Sequence, residues 1–215
     1  MDLVDFLRAM GASIEAQSGV ITIEGVKSLH GTEYSIIPDR IEAGTYMVAA
    51  AITRGDIILR GCHLPHMETV VQKLREIGVI VEPVVGGARC RCDPNQKLNP
   101  INIRTLPYPG FPTDLQAQFM ALLTLIEGNS TITETIYTER FMHVSELSRM
   151  GANISLFGAT ATVLGVKELT SAPVMATDLR ASATLILAAL SAKGETEILR
   201  LYHIDRGYER IEEKL

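Results

Sequence analysis

The sequence predicts an α/β fold built from repeats of one unit, with buried helices in the middle and strands and amphipathic helices around them. Three strongly apolar helical segments each follow an aspartate, at Asp39, Asp114 and Asp178. Each segment ends at a glycine and is followed by an extended stretch, as expected for a helix that leads into a strand. The glycines that end the three helices are Gly55, Gly128 and Gly194.

The chain begins with the second half of a unit. Residues 1–26 predict a short helix, a stop at Gly11, and two strands separated by a tight turn. Residues 150–155 repeat the pattern of residues 10–15, which indicates an internal repeat. Because this first half-unit has no front half before it, we expect the chain to be a piece of a longer one.

The front half of the unit occurs three times, starting near residues 36, 110 and 174. Its first helices are apolar nearly all round, which predicts that they are buried. Its second helices are amphipathic, and their apolar faces are formed by Met67, Val70, Val71, Leu74 and Ile77, by Val144, Leu147 and Met150, and by Tyr208, Ile211 and Leu215. The extended segments between them are predicted at 56–60, 130–137 and 195–202. The third unit is incomplete.

The stretch from Pro107 to Asp114 determines the functional interpretation. Its prolines exclude regular structure up to Phe111, and Thr113-Asp114-Leu115-Gln116 has the form of a capping box that opens a helix over 115–126. Asp114 then lies in the first helical turn. It either helps the helix to start, an effect worth about 0.3–1 kcal/mol, or acts as a general base aimed at a substrate hydroxyl. The pattern of residues leaves both interpretations open.

Composition and charge exclude several classes of protein. Of the 215 residues, 47% are hydrophobic and 21% are charged, which predicts a compact folded chain. A net charge of -5 without a Lys/Arg cluster argues against a nucleic-acid partner, and no apolar run is long enough to span a membrane. Since no signal peptide is visible, we expect a cytoplasmic protein. The three cysteines are Cys62, Cys90 and Cys92, which we interpret as ordinary reduced residues.

Five motifs carry a resemblance that covers nearly the whole chain. They are Pro-Asp-Arg-Ile-Glu at 38–42, Phe-Pro-Thr-Asp-Leu-Gln-Ala-Gln at 111–118, Glu-Arg-Phe-Met-His at 139–143, Ala-Thr-Asp-Leu-Arg-Ala-Ser at 176–182 and His-Ile-Asp-Arg-Gly-Tyr-Glu-Arg at 203–210. In this order they resemble the second half of the enolpyruvyl transferase family. Within that family they are most similar to the branch that acts on UDP-N-acetylglucosamine in bacterial peptidoglycan synthesis.

The resemblance implies two similar domains, each an inside-out α/β barrel of three repeated units. Residues 1–30 would be the tail of the first domain, and 31–215 would be most of the second. The implied reaction transfers the enolpyruvyl group of phosphoenolpyruvate to the 3′-hydroxyl of UDP-N-acetylglucosamine through a tetrahedral intermediate, and phosphate leaves. Both ligands would bind between the domains. The chain would then carry half of a site, need the missing first domain as its partner, and be inactive alone, with neither a metal nor a cofactor implied.

Four charged residues take catalytic or anion-binding roles by their positions in the matching motifs. Asp114 would face the sugar hydroxyl and accept its proton, so the resemblance favours the general-base interpretation. Arg180 and Arg206 would hold the phosphate and carboxylate of phosphoenolpyruvate, a task that suits planar guanidinium groups. Asp178 would face the same ligands and take part in proton transfer.

Two further residues match contacts to the sugar nucleotide. Ile136 matches a contact made by the backbone, and Arg140 matches a neighbouring polar contact. His143 and His203 lie in the same motifs, but a lone histidine is more often a structural residue, so neither is assigned a catalytic role.

The resemblance also shows what the chain does not contain. The acid of the family is a cysteine on a mobile glycine-rich loop of the first domain, and none of the three cysteines here has that sequence context. Two alternatives to the sugar-nucleotide assignment therefore stand beside it. One is a related enzyme that acts on shikimate 3-phosphate, and the other is a non-catalytic module that has kept the fold. The four charged residues named above are all present, which argues against the second.

Overall fold

The computed structural model describes all 215 residues, which form two compact units, Met1–Pro38 and Asp39–Leu215. The helices are α1 (Asp2–Ala9), α2 (Arg40–Ile52), α3 (Glu68–Ile77), α4 (Gln116–Leu123), α5 (His143–Arg149), α6 (Leu179–Ser191) and α7 (Ile211–Lys214). The strands are β1 (Ser13–Gln17), β2 (Val20–Glu24), β3 (Asp56–Arg60), β4 (Ile80–Val84), β5 (Gly87–Arg91), β6 (Asn102–Arg104), β7 (Asn129–Thr133), β8 (Asn153–Phe157), β9 (Thr160–Leu164), β10 (Val174–Met175) and β11 (Ile198–Leu199). Short 3₁₀ turns cover Leu64–Met67, Thr113–Leu115 and Leu201–Arg206.

The first unit consists of α1 and the antiparallel hairpin of β1 and β2. Ser18 and Gly19, at the tip of the hairpin, both have positive φ, as a tight two-residue hairpin turn requires. The segment that follows the hairpin returns to α1, where the Tyr34 hydroxyl donates a 2.9 Å hydrogen bond to the Asp2 carboxylate. The predicted helix and strand pair of this unit are confirmed.

The second unit repeats the predicted order of helix, strand, helix, strand, strand. The order occurs in α2-β3-α3-β4-β5 and again in α4-β7-α5-β8-β9, and it begins a third time at α6. One sheet has the order β3-β5-β4 and is antiparallel, and the other has the order β6-β7-β9-β8 with only β6 and β7 parallel. β10 and β11 form a short parallel pair. The fold is therefore mixed α/β, as predicted.

The three apolar helices α2, α4 and α6 pack against one another and form the centre of the second unit. Every residue of α4 is buried, and so is the stretch from Thr45 to Ile52 in α2. The amphipathic helices turn their apolar faces inward, as Leu74 and Ile77 of α3 and Leu147 of α5 are completely buried. Burying such side chains contributes roughly 1.5–3 kcal/mol each, so these helices are held by packing.

Two predicted segments of the middle repeat are shorter than expected. The helix predicted to reach residue 126 ends at Leu123. The extended segment predicted to reach residue 137 ends as β7 at Thr133. The reason for the second difference is Glu134, whose carboxylate accepts hydrogen bonds from the backbone N–H groups of Ile136 and Tyr137. Those donors are no longer available to a neighbouring strand, so the ladder stops.

The predictions for the last repeat are also only partly correct. Arg200 has a φ of 61°, which ends the extended segment after the two residues of β11 and leads into a 3₁₀ turn. The predicted amphipathic helix is reduced to the four residues of α7. Tyr208 and Ile211 are buried as predicted, in a small cluster that includes Tyr46, but Leu215 is exposed.

None of the helices combines the length and hydrophobicity needed to cross a membrane. No group of three or more His, Cys, Asp or Glu side chains is arranged to hold a metal ion. The three cysteines are free, with Cys90 buried in β5 and Cys92 buried just beyond it.

Candidate functional site

Asp114 lies between two arginines that come from other repeats or loops of the second unit. Its Oδ1 forms an ion pair with Arg140 Nη2 at 2.9 Å and accepts a hydrogen bond from Arg180 Nε at 3.2 Å. Its Oδ2 has no hydrogen-bond partner within the chain, and the side chain is 37% exposed. The structure therefore brings together three of the predicted site residues and leaves one carboxylate oxygen free.

The predicted capping box at Thr113 is wrong. The Thr113 hydroxyl donates a 2.8 Å hydrogen bond to Glu134 Oε2, and neither α4 nor the 3₁₀ turn before it has a side-chain cap. The side chain of Gln116, the other half of the expected box, is buried without a hydrogen-bond partner. Asp114 lies within the 3₁₀ turn that precedes α4. Its carboxylate does not cap the helix and can therefore reach the arginines.

The two arginines control the charge of Asp114. Partial burial by itself would raise the pKa of this carboxyl group, but the Arg180 and Arg140 guanidinium groups outweigh that effect and hold the pKa below its ordinary value. The group is therefore a carboxylate at neutral pH. It can accept a proton only if its basicity increases when a substrate is bound.

Asp178 is the N-cap of α6. Its Oδ1 accepts hydrogen bonds from the backbone N–H groups of Arg180, at 2.7 Å, and Ala181, at 2.9 Å. It thus fixes the start of the helix that carries Arg180. The carboxylate also contributes to the electrostatic environment of the buried His143, whose pKa burial lowers to about 4.

Tyr208 links Arg180 to the centre of the second unit. Arg180 Nη1 and Gln118 Nε2 both donate to the Tyr208 hydroxyl at 3.3 Å, and this hydroxyl is 2.8 Å from Thr45 Oγ1. Since Thr45 Oγ1 can donate its own hydrogen to the Ile41 carbonyl at 2.9 Å, the Tyr208 hydroxyl can donate to Thr45. The Tyr208 hydroxyl thus joins Thr45 of α2, Gln118 of α4 and Arg180 of α6, and this restrains the Arg180 side chain.

Glu134 was not singled out from the sequence, yet it is the most connected polar side chain near the site. It is 1% exposed, and it accepts hydrogen bonds from the Thr105 and Thr113 hydroxyls and from two backbone N–H groups. The only sequence signal is an acidic residue directly after the extended segment that contains Ile132. A strand of that kind usually ends at the surface, so the signal gives no indication of burial.

The remaining predicted residues are not part of this hydrogen-bonded cluster. Ile136 is half-exposed, and its N–H is taken by Glu134, while its carbonyl has no partner within the chain. Arg206 is exposed in the last 3₁₀ turn and forms no ion pair. His203 lies in the same turn with its ring against that of Tyr202. These groups are available to a ligand, but no contact in the chain joins them to Asp114.

Comparison with known proteins identifies the family. The model of the family described as EPSP synthase (3-phosphoshikimate 1-carboxyvinyltransferase) matches residues 1–215. The chain belongs to the EPSP synthase family. The resemblance to enolpyruvyl transferases that the five motifs indicated is therefore confirmed.

The curated relatives of this EPSP synthase family chain carry a narrower name. It is 58% identical over 216 residues to the UDP-N-acetylglucosamine 1-carboxyvinyltransferase of Magnetococcus marinus, and 57% identical over 215 residues to that of Paramagnetospirillum magneticum. These matches cover 100% of the chain and 51% and 50% of the two relatives. The chain thus spans about half the length of the curated relatives it matches.

Solved structures of the family have the same fold. The enolpyruvyl transferase NikO from Streptomyces tendae has a TM-score of 0.88 and 28% identity, and the match covers 100% of this chain and 51% of that one. An EPSP synthase from Acinetobacter baumannii has a TM-score of 0.71 at 20% identity, over 94% of this chain and 50% of that one, which shows the fold alone. Both matches extend over about half of the longer protein.

The geometry of this EPSP synthase family chain suits proton transfer to a carboxylate next to a bound anion. A carboxylate with a free oxygen can accept a proton, and two guanidinium groups beside it can bind an anion through paired N–H donors. The Ile136 carbonyl can serve only as an acceptor, so a ligand group bound there must be a donor.

Proposed function

We propose that this chain supplies one half of the active site of a UDP-N-acetylglucosamine 1-carboxyvinyltransferase. The complete protein would transfer the enolpyruvyl group of phosphoenolpyruvate to the 3′-hydroxyl of the sugar nucleotide, in the synthesis of bacterial cell-wall peptidoglycan. The names of the relatives and the five sequence motifs support this assignment. The observation that carries it is the placement of Asp114 between Arg140 and Arg180 with one oxygen free.

Asp114 is the general base of the proposed reaction. Its free Oδ2 takes the proton of the sugar 3′-hydroxyl while the hydroxyl oxygen forms a bond to C2 of phosphoenolpyruvate. Loss of phosphate from the resulting tetrahedral intermediate, together with loss of a proton from the neighbouring carbon, restores the double bond of the enolpyruvyl product. The chain provides the base and part of the anion site, and the acid that protonates that carbon comes from the other half of the protein.

The arginines explain how a carboxyl group with a lowered pKa can act as a base. The positive charge of Arg180 and Arg140 lowers the pKa of Asp114 in the unliganded chain. When the anionic groups of phosphoenolpyruvate bind to Arg180 and Arg206, they offset part of that positive field. The basicity of Asp114 therefore rises when phosphoenolpyruvate is bound, and proton transfer is coupled to occupation of the anion site.

Three other residues complete the proposed roles. Asp178 fixes the first turn of α6 and takes part in proton transfer near the phosphate. Ile136 accepts a hydrogen bond from a donor group of UDP-N-acetylglucosamine through its carbonyl, which follows from the occupation of its N–H by Glu134. Arg140 orients the base and contributes a polar contact to the sugar nucleotide.

The fold of the second unit supports an inside-out α/β barrel of three repeated units. In this arrangement α2, α4 and α6 are the inner helices, and the sheets and amphipathic helices surround them. We assign residues 1–30 to the tail of a first domain and 31–215 to the second domain, whose last unit is incomplete. The partners of the chain are then the two small-molecule substrates and the first domain of the same enzyme.

The test is phosphate release by the complete protein that contains this chain. Asp114→Asn keeps the shape of the side chain but cannot accept the proton, and positioned general bases typically contribute 10² to about 10⁴-fold in rate. We expect a loss of turnover in that range with little change in KM for the sugar nucleotide. Asp39→Asn is the matched control, because it makes the same change at the aspartate of the first repeat, which caps α2, and should leave turnover intact.

Three results would overturn the assignment. Turnover of Asp114→Asn within about twofold of the parent would remove Asp114 from the role of base. Phosphate release with shikimate 3-phosphate but not with UDP-N-acetylglucosamine would replace the proposed substrate. A parent protein that binds both proposed substrates but releases no phosphate would instead support a non-catalytic module.

A second experiment tests whether the chain has half a site. The 215-residue chain alone should release no phosphate from the two substrates, and adding a separately produced first domain should restore turnover. Positioning of both reactants accounts for roughly 7–11 kcal/mol of a typical barrier, and a single domain cannot supply it. Appreciable turnover by the chain alone would show that the site is divided differently.

A further inference from the structure

Glu134 is a buried carboxylate whose hydrogen bonds lead directly to the proposed base. It follows β7 at a point where the side chain is 1% exposed. Burying a carboxylate is costly unless donors surround it, and four donors do so here. They are Thr105 Oγ1, Thr113 Oγ1 at 2.8 Å, Ile136 N–H at 2.9 Å and Tyr137 N–H at 3.1 Å.

The hydroxyl of Thr113 connects this carboxylate to Arg140. A threonine hydroxyl has one hydrogen to donate, and Thr113 donates it to Glu134 Oε2. The lone pairs of the same oxygen then face Arg140, whose Nη1 donates to it at 3.1 Å. Since a guanidinium group can only donate, it needs an acceptor there, and Glu134 determines that the hydroxyl is one.

Arg140 passes the constraint on to Asp114. Its Nη1 donates a hydrogen bond to the Thr113 hydroxyl, and its Nη2 forms an ion pair with Asp114 Oδ1 at 2.9 Å. With Nη1 and Nη2 each held by a different partner, the guanidinium group is restricted in the direction from which it approaches the carboxylate. The two backbone N–H groups bound to Glu134 belong to the segment that leads to Arg140, so the carboxylate restrains this residue through the backbone as well.

We propose that Glu134 is a positioning residue that orients Arg140 toward Asp114 and at the same time holds the backbone of Ile136 for the sugar nucleotide. This inference rests on the proposed function, because Glu134 affects the reaction only if Asp114 is the base and Ile136 contacts the sugar nucleotide. Glu134 itself touches neither substrate nor reacting atoms. Its replacement should therefore change how the base behaves without removing the base.

The test compares Glu134→Gln and Thr113→Val with the complete parent protein. Glutamine has the shape of glutamate, but its NH₂ group can no longer accept the hydrogen of Thr113, and valine removes the hydroxyl while keeping the shape of threonine. Each variant should lower turnover by roughly 10–100-fold, the range found when partners behind a functional side chain are removed at metal sites. The double variant should be no worse than Glu134→Gln, because both changes break one path. Thr113→Ser, which restores the hydroxyl, should recover the activity of the parent.

The pH profile of turnover separates positioning from a general loss of structure. The acidic limb reports protonation of the base, and Arg140 is one of the two groups that lower the pKa of Asp114. In both variants the limb should move toward higher pH. Leu147→Ala is the matched control, because it creates a cavity where α5 packs against the core. It should lower the melting temperature without moving the acidic limb of the pH profile.

The outcomes distinguish this inference from the proposed function. If Asp114→Asn abolishes turnover while Glu134→Gln and Thr113→Val keep both parental turnover and the parental acidic limb, the positioning role is refuted and the general base stands. If Asp114→Asn retains turnover, the proposed function has failed. If Glu134→Gln does not fold, Thr113→Val decides alone, because its loss of one hydroxyl leaves the backbone contacts of Glu134 in place.

Discussion

Acidification from pH 8 to pH 5 should destabilise the 215-residue chain through one buried imidazole, that of His143. The side chain is 3% exposed, and its Nε2 has no hydrogen-bond partner. Burial lowers its pKa from 6.5 to about 4, while the carboxylate of Asp178 opposes this shift and the guanidinium of Arg140 adds to it. The folded chain therefore keeps the imidazole neutral at pH values where the unfolded chain protonates it.

The sign and size of the effect follow from proton linkage. Between pH 6.5 and 4 the unfolded chain binds more protons than the folded chain, so the free energy of unfolding rises with pH. This contribution is complete above pH 6.5, decreases as the pH falls through that range, and levels off below pH 4. A difference between 6.5 and about 4 corresponds to about 3 kcal/mol in total. About 2 kcal/mol of this should be lost between pH 8 and pH 5.

Urea denaturation followed by circular dichroism at several pH values measures this loss. His143→Leu replaces the imidazole with a neutral side chain, so the free energy of unfolding of the variant should fall by about 2 kcal/mol less than that of the parent over this range. His63→Gln is the control, because it replaces an exposed imidazole and should leave the parental pH dependence intact. If the parent and His143→Leu lose the same stability between pH 8 and pH 5, His143 is not the group responsible.

Three further substitutions test the hydrogen bonds of Tyr208, the close backbone approach at Gly165 and the proposed anion site at Arg180. Tyr208→Phe removes the hydroxyl that accepts hydrogen bonds from Arg180 Nη1 and Gln118 Nε2, and only Gln118 keeps a second partner, Thr45 Oγ1. The free energy of unfolding in urea should fall by about 1–3 kcal/mol, and an unchanged value would contradict the role of the hydroxyl. Gly165→Ala would place a Cβ 1.9 Å from the Ile126 carbonyl oxygen, so the melting temperature should fall clearly, and a melting temperature equal to that of the parent would show that the backbone can shift. Arg180→Lys should raise KM for phosphoenolpyruvate in the complete protein about tenfold or more, since lysine lacks the planar guanidinium group that reaches both Asp114 and Tyr208. A KM equal to that of the parent would remove Arg180 from the anion site.

The sequence predicts α2, α3 and α6 well because their signals are local. α2 and α6 are apolar nearly all round, and α3 has one apolar face and ends at Gly78, whose φ of 114° suits glycine. The ends of strands are predicted less well, since they depend on side chains distant in the sequence or on backbone angles. β7 stops because Glu134 captures two N–H groups, and β11 stops at the positive φ of Arg200.

The candidate site could be predicted only through the family motifs. Asp114 and Arg180 are separated by 66 residues, and no periodicity in a single sequence indicates that they meet. The motifs named Asp114, Arg140 and Arg180, which the structure brings together. Glu134 and Tyr208 were not predicted as site residues because their importance comes from burial and from hydrogen bonds formed after folding.

The three repeat aspartates show why a pattern alone could not identify the proposed base. Asp39 and Asp178 stand just before their helices, and the Oδ1 of each accepts hydrogen bonds from two backbone N–H groups of the first turn. Asp114 stands one position further inside, in a 3₁₀ turn, and its helix has no side-chain cap. In the first two cases a carboxylate oxygen stabilises the helix, whereas in the third it meets two guanidinium groups. The aspartate that does not cap its helix is therefore the one whose carboxylate is free for chemistry.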